Sequence, residues 1–344
     1  MQLKDVIQKT TQFFRDKGFE SPRLDTELLL AKALQWDRLK LYLNYEYPMS
    51  EAELSAARDL VRRRAAGEPV AYILGTKDFY NHTFQVSPAV LIPRPETEEL
   101  VHAVIEWWTG KHAPREEQDV PHVEAISVPE GDDAGADTTE AEASDSETSE
   151  SESTEFDANT SRVCRIVDLG TGSGCIGLSL LAEIPEAKLL AVDLSGDALE
   201  VAKKNAESFG VFDRVSFVAA DAARVDSSKV VESLGGLADV VVANPPYIAE
   251  GDPAVQPSVK AFEPAQALYS PEQGLAHIRS WAGTAARLAA PRALVMFEIG
   301  YEQGPQARAL FEAMNAFESI EIVRDMSGHD RFVRCLKNER SSNG

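Results

Sequence analysis

The chain has 344 residues, 44% hydrophobic and 26% charged, which is ordinary for a soluble globular protein with room for two or three domains. Its net charge is −22, but 16 acidic residues and no Lys or Arg fall between Glu116 and Asp157, which leaves only −6 for the remainder. Three cysteines without CxxC spacing argue against a disulfide framework or a structural zinc, and no metal is expected. No apolar run reaches the roughly 18 residues a membrane span needs, and the start has no secretory or transit character, so a cytoplasmic protein is expected.

Residues 1–75 read as three short helices. Val6, Phe13 and Phe14 give helical spacing in the first. Leu24, Leu28, Leu29, Leu30, Ala33 and Leu34 give an apolar face in the second, with Ser21-Pro22 as its start signal, and the third runs from about Ser50 to Ala66. Residues 76–110 change character. Phe79, Phe84 and Val86 with a turn at Asn81-His82 predict a hairpin. The prolines of Ile92-Pro93-Arg94-Pro95-Glu96 then force an extended run, and a helix resumes from Glu98 to Trp108. Residues 111–160 are low complexity, and the run TTEAEASDSETSESESTE within them is Ser, Thr and Glu with almost nothing to bury. They cannot offset an ordering cost of about 1–2 kcal/mol per residue and read as a disordered acidic insert.

From 161 to 340 strands alternate with helices. Strands are predicted at 163–169, 188–194, 215–221, 238–244 and 293–299, with IEIVRDM and RFVRCLK as a late hairpin. This alternation predicts an α/β domain with a mostly parallel sheet covered on both faces.

Four motifs sit at the predicted strand ends. Asp168-Leu169-Gly170-Thr171-Gly172-Ser173-Gly174 is a glycine turn entering a helix, where backbone can approach a ligand. It suits an adenosylmethionine tail, with Asp168 orienting the amino group. Gly172, Gly174 and Gly177 equally spell the GxGxxG of a dinucleotide fold. Asp193 ends the next strand, where a carboxylate can accept both ribose hydroxyls of either cofactor, or merely cap the helix that follows. Asp221 and Ala222 end the third, where a carboxylate and a backbone N–H can meet an adenine edge. A plain loop residue is an equal reading there.

Asn244-Pro245-Pro246-Tyr247 after ADVVVA discriminates. Two prolines stiffen the corner and remove two donors, leaving the Pro245 carbonyl and the Asn244 side-chain oxygen as paired acceptors for one NH2 group. Tyr247 offers a flat face to a planar substrate. The arrangement suits methylation of a planar amide or an exocyclic aromatic amine.

RRRAAGEPVAYILG (62–75), FQVSPAVLIPRPETEEL (84–100), DLGTGSGCIGLSL (168–180), ANPPYI (243–248), FEPAQAL (262–268), FEIGYEQG (297–304) and DMSGHDR (325–331) together resemble the PrmC/HemK family of protein-glutamine N5-methyltransferases. The resemblance implies a seven-stranded Rossmann-like class I domain using S-adenosyl-L-methionine and acting on the GGQ glutamine of peptide chain release factors. It implies cofactor contacts at Gly170 to Gly174, Asp193, Ala222 and Asn244, and substrate contacts at Asn244 to Tyr247. It also implies an active-site lining role for the IPRPE segment, hence Arg94 and Glu96, and a release-factor-holding role for the helical domain, in a monomer. Three features depart from the pattern: the acidic insert, the small Ala222 where the family admits an aromatic, and YSPEQGL (269–275).

Three rivals use the same residues. An adenine-N6 DNA or RNA methyltransferase would need a basic surface, and Arg62-Arg63-Arg64 is short and reads as a solvated helix end. An NAD-dependent oxidoreductase leaves the Asn244 corner unexplained. A silent cofactor-binding module leaves Asp168, Asp193 and that corner without purpose.

Overall fold

The computed structural model describes residues 1–110 and 163–339; the segment 111–160, read above as an insert, lies outside them. The chain opens with helices α1 (Leu3–Asp16), α2 (Pro22–Leu34), α3 (Arg38–Leu43), α4 (Glu51–Ala65) and α5 (Val70–Leu74). Sequence periodicity gave three of these. The other two, α3 and α5, are too short to display a repeat. Pro22 stands at the first turn of α2, where its missing N–H costs nothing. A reciprocal Ser50–Glu53 capping box starts α4.

The leucine face of α2 read from the sequence is buried at Leu29, Leu30 and Leu34, but burial extends beyond it. Leu24 is 40% exposed, whereas Asp25 and Glu27 are buried. The reason is that α2 touches α1, α3, α4 and α5 and has little free surface. Its carboxylates survive burial by pairing. Glu27 takes Arg23, Arg38 at 2.8 Å and the Tyr42 hydroxyl at 2.7 Å, and Asp25 takes Arg64 at 2.8 Å. Arg64 is therefore no solvated helix end: it is a buried-pair partner that also lies 4.0 Å over the Phe19 ring. Removing one member of such a pair typically costs about 3–5 kcal/mol.

The hairpin β1 (Thr76–Phe79) and β2 (His82–Gln85) turns at Tyr80-Asn81, one residue earlier than expected, with Tyr80 at φ 53°. Phe79 and Phe84 are fully buried and meet edge-on at 5.9 Å. After the extended Ile92–Arg94 run and a 3-10 turn over Pro95–Thr97 comes α6 (Glu98–Trp108).

The second half gives β3 (Arg165–Leu169), α7 (Cys175–Glu183), β4 (Lys188–Asp193), α8 (Gly196–Ser208), β5 (Val215–Ala219), α9 (Ser227–Leu234), β6 (Ala238–Ala243), α10 (Pro257–Phe262), α11 (Ala276–Leu288), β7 (Ala289–Glu298), α12 (Gly304–Ala313), β8 (Phe317–Arg324) and β9 (Asp330–Lys337). The strands form one seven-stranded sheet in the order β5-β4-β3-β6-β7-β9-β8. β9 runs antiparallel to both β7 and β8, as the late hairpin required, and the other pairs are parallel. The class I, Rossmann-like α/β architecture expected from the sequence is thus present.

Two cores flank the sheet. One packs α9, α11 and α12, through Val230, Ile278, Trp281 and Phe311, on the first face. The other packs α6, α7 and the hairpin, through Leu100, Val104, Leu178, Phe79 and Phe84, on the second. All six residues of β6 are buried, which is why ADVVVA reads as a continuous apolar run and not an alternating one. Order reverses at β3, which has β4 on one side and β6 on the other. A crevice opens beyond the strand carboxyl ends at such a switch point. Among the described residues no helix is long and apolar enough to cross a membrane, and no cluster of His, Cys, Asp and Glu could hold a metal ion.

Candidate active site

The glycine turn leaves β3 and is pinned to β4. The Gly170 and Thr171 N–H groups both donate to the Val192 carbonyl, at 2.8 and 2.9 Å. Gly170, Gly172 and Gly174 all have positive φ, a conformation L side chains rarely adopt. At Gly170 there is also no room: a Cβ would stand 2.5 Å from Cη2 of Trp281. Backbone is therefore the floor of the cavity here.

Asp193 closes the turn from the neighbouring strand. Its Oδ2 accepts from Gly172 N–H and its Oδ1 from Ser195 N–H, each at 2.9 Å. Burial pushes its carboxyl up from the ordinary range, and these backbone donors oppose the shift. Each oxygen keeps acceptor capacity toward the cavity that Asp193 lines.

One cavity gathers Gly170, Thr171, Gly172, Ser173, Asp193, Asp221, Ala222, Asn244 and Pro246 from four strand ends. Asp221 caps the short turn after β5 through Ala223 N–H at 2.9 Å. Two predicted residues lie elsewhere. Gly174 starts α7 outside the lining, and a Cβ there would stand 2.7 Å from Leu178. Asp168, 1% exposed, is also outside the lining; its Oδ2 accepts from the Thr171 hydroxyl at 2.7 Å and from Gly177 N–H at 3.2 Å. It ties the turn to α7 from beneath.

Sequence reading missed two aromatic groups of this cavity. His277 and Trp281 come from α11, one turn apart. They supply ring surface beside the small Ala222. The His277 Nδ1 lies 2.8 Å from Ser270 Oγ, and burial lowers the imidazole's pKa against the pull of Asp221. Their only sequence signal was four-residue spacing on a helix, which reads as ordinary core.

A second cavity adjoins the first. Pro245, Tyr247 and Arg331 line it, and Leu91, Arg94, Asn244 and Ala267 line both. Asn244 thus stands in the wall between them. Among the described hydrogen bonds none engages the Asn244 side-chain oxygen or the Pro245 carbonyl, so both remain available as acceptors. The corner is held from behind: Ile248 N–H donates to Leu268 O at 3.0 Å, and Gln303 Nε2 to the Tyr247 carbonyl at 3.0 Å. Arg94 reaches the cavities while bonded to the buried Glu263 at 2.7 Å, and Glu263 also accepts from Ile92 N–H at 3.1 Å. This fixes the IPRP strap over the site. Glu96 is exposed and lines neither cavity. Glu263, Thr97 and Glu298, quoted in the sequence motifs without a role, are the buried polar residues that hold the walls.

The two-cavity arrangement fits an adenosine-and-amino-acid cofactor on one side and a planar group on the other. Exposed glycine backbone, with no room for a side chain at Gly170, a two-oxygen acceptor at Asp193 and ring surface at Trp281 suit the first. Paired carbonyl-type acceptors suit the second.

Comparison with known proteins agrees. A family model described as the PrmC N-terminal domain matches residues 5–75, and one described as the methyltransferase small domain matches residues 154–272. The chain is 34% identical over 333 residues to the release factor glutamine methyltransferase of Chlorobaculum tepidum, covering 96% of each chain. It is 31% identical over 338 residues to the protein of that name from Nitratidesulfovibrio vulgaris, covering 98% of this chain and 95% of the relative. The corresponding Geobacter sulfurreducens protein is 32% identical over 333 residues, 96% of this chain and 95% of the relative.

Proposed function

The chain belongs to the release factor glutamine methyltransferase family, and from that premise we propose that it methylates the side-chain N5 of the GGQ glutamine in peptide chain release factors. The observation that carries this reading is the position of Asn244 in the wall shared by both cavities, beside the Pro245 carbonyl, with both oxygens unengaged.

S-adenosyl-L-methionine supplies an electrophilic methyl group on a sulfonium. The chain's own residues do the rest. Gly170 to Ser173 and Asp193 hold the nucleoside and amino-acid parts, with Asp221, Ala222, His277 and Trp281 around the base. Asn244 Oδ1 and Pro245 O accept the two hydrogens of the substrate NH2. An amide nitrogen is a poor nucleophile because its lone pair is delocalised. Two fixed acceptors orient that nitrogen toward the methyl and favour the positive charge that develops on it. The prolines make the acceptors rigid, so little reorganisation is needed at the moment of transfer. No base has to act first, since the nitrogen becomes acidic only after it gains the methyl, and its proton can then leave to solvent.

Tyr247 walls the substrate side with its hydroxyl tied to Glu298 at 3.2 Å, and burial raises its pKa, so it stays a neutral planar surface. The helical segment α1–α5 holds the body of the release factor in this reading, and the enzyme is a cytoplasmic monomer that regulates translation termination. The adenine-amine and oxidoreductase readings are disfavoured by the full-length family match. Mass spectrometry of a release factor after incubation with enzyme and cofactor tests the proposal. One added methyl on the GGQ peptide is expected; methylated adenine in nucleic acid with an unmodified peptide would overturn it.

A further inference from the structure

Beneath the Asn244 corner lies a carboxylate that the chemistry above does not touch. Glu298 ends β7 and is 1% exposed. Its Oε2 accepts from the Thr97 hydroxyl at 2.6 Å, and its Oε1 from the Tyr247 hydroxyl at 3.2 Å. Thr97, itself 1% exposed, stands with its Oγ1 3.4 Å from Nδ2 of Asn244. The chain Glu298–Thr97–Asn244 therefore joins the end of β7, the 3-10 turn after IPRP and the end of β6.

The two ends of a carboxamide have nearly the same shape, so packing alone does not choose which one faces a cavity. Hydrogen-bond polarity does. Burial pushes the Glu298 carboxyl up from the ordinary range, and the Thr97 hydroxyl, the Arg331 charge and the Tyr247 hydroxyl pull it back toward the ionised form. Both its oxygens accept, and the one Thr97 hydroxyl hydrogen goes to Oε2. The Thr97 oxygen is then left only to accept, and the end of Asn244 that can donate is its NH2. A flipped amide would set oxygen against oxygen at Thr97 and turn NH2 toward the substrate NH2. At 3.4 Å the Asn244–Thr97 contact is a weak bond, so it contributes little stability. Its consequence is directional.

We propose that Glu298 and Thr97 are positioning residues that set the polarity of the Asn244 side chain, so that its oxygen and not its nitrogen is presented to the substrate amide. This rests on the function proposed above. Tyr247 shares the same carboxylate, so one buried group fixes both the acceptor and the planar wall. The chemical requirement is an acceptor-only group behind a single-hydrogen relay. Gln at 298 has the right shape and the wrong polarity: its NH2 can donate to Thr97, which frees the Thr97 hydrogen to occupy Asn244 Oδ1.

The test is steady-state kinetics on a GGQ release factor, with adenosylmethionine affinity by calorimetry, for wild type, Thr97→Val, Thr97→Ser and Glu298→Gln. Thr97→Val keeps shape and loses the relay. It is expected to lower kcat about ten-fold or more, in the range seen when one oriented group is lost, with KM and cofactor Kd within about three-fold. Thr97→Ser keeps the hydroxyl and is expected to restore kcat to within about three-fold of wild type. Glu298→Gln is expected to follow Thr97→Val. If Glu298→Gln fails to fold, the Val and Ser pair decides. Wild-type kcat in Thr97→Val, or an equal loss in Thr97→Ser, overturns the inference while leaving the function intact. A wild-type protein inert on the release factor overturns both.

Discussion

Gly274 lies directly against the carbonyl of Tyr247: a Cβ at position 274 would stand 2.0 Å from that oxygen. Gly274 also has φ +90°, after Glu272 and Gln273 at +54° and +55°, so three successive residues are left-handed. YSPEQGL departs from the family pattern at its acidic and small positions yet retains the glycine that this approach demands. The same Tyr247 carbonyl receives Gln303 Nε2 at 3.0 Å, so the contact braces the last residue of the Asn244–Tyr247 corner.

Gly274→Ala is therefore expected to displace that corner. Backbone cannot yield as a side-chain tip can, and the conformation adds roughly 1 kcal/mol of strain. We expect kcat to fall at least about ten-fold, as for other misplacements of positioning groups, with cofactor affinity nearly unchanged because Gly274 is outside the first cavity. Kinetics and calorimetry on the variant check this. Unchanged kcat would show that the corner tolerates the shift.

Asn244 and Asp193 should separate turnover from cofactor binding. Asn244→Ala removes one of two acceptors for the substrate and is expected to reduce kcat about 100-fold or more, leaving most cofactor affinity. Asp193→Ala removes the acceptor that also braces Gly172 and Ser195 and is expected to weaken cofactor binding first, by about 10- to 100-fold. Measured Kd and kcat for both variants decide, and the reversed pattern refutes the roles.

Asp168 should leave a signature in stability against pH. Its carboxyl is pushed up to about 6 by burial, with the Thr171 and Gly177 bonds pulling the other way. The folded state then binds its proton more tightly than the unfolded chain. Stability from this group is fully present below the ordinary Asp range, about pH 4, and is lost as pH rises through 6. Asp168→Asn has no such loss. Its stability relative to wild type is expected to rise by on the order of 3 kcal/mol between about pH 4 and 7, then level off. Urea unfolding of both proteins across that range tests it, and a flat difference would mean that Asp168 is not desolvated.

Removing residues 116–157 is expected to leave kcat and cofactor affinity at wild-type values. The deleted stretch carries 16 carboxylates and no cation, with little apolar surface to contribute to a core. A large loss of rate in the shortened protein would give the stretch an active part in catalysis or substrate capture.

Sequence by itself determined the α/β class, the parallel strands and the motifs at their ends, because hydrophobic period and proline-glycine chemistry are local properties of the chain. ADVVVA reads as a strand of a sheet covered on both faces, and the two prolines after it read as a stiff corner. What tertiary structure decided were the partners. Asp168 turned under the glycine turn, Glu96 turned away from both cavities, and Arg64 found Asp25 from 39 residues away. His277 and Trp281 entered the first cavity from a helix that reads as plain core. Glu298 reached Thr97 across 201 residues. No local pattern encodes such meetings. A buried carboxylate must find donors, and which ones it finds depends on the sheet order that brings the ends of β6 and β7 to the strap behind them.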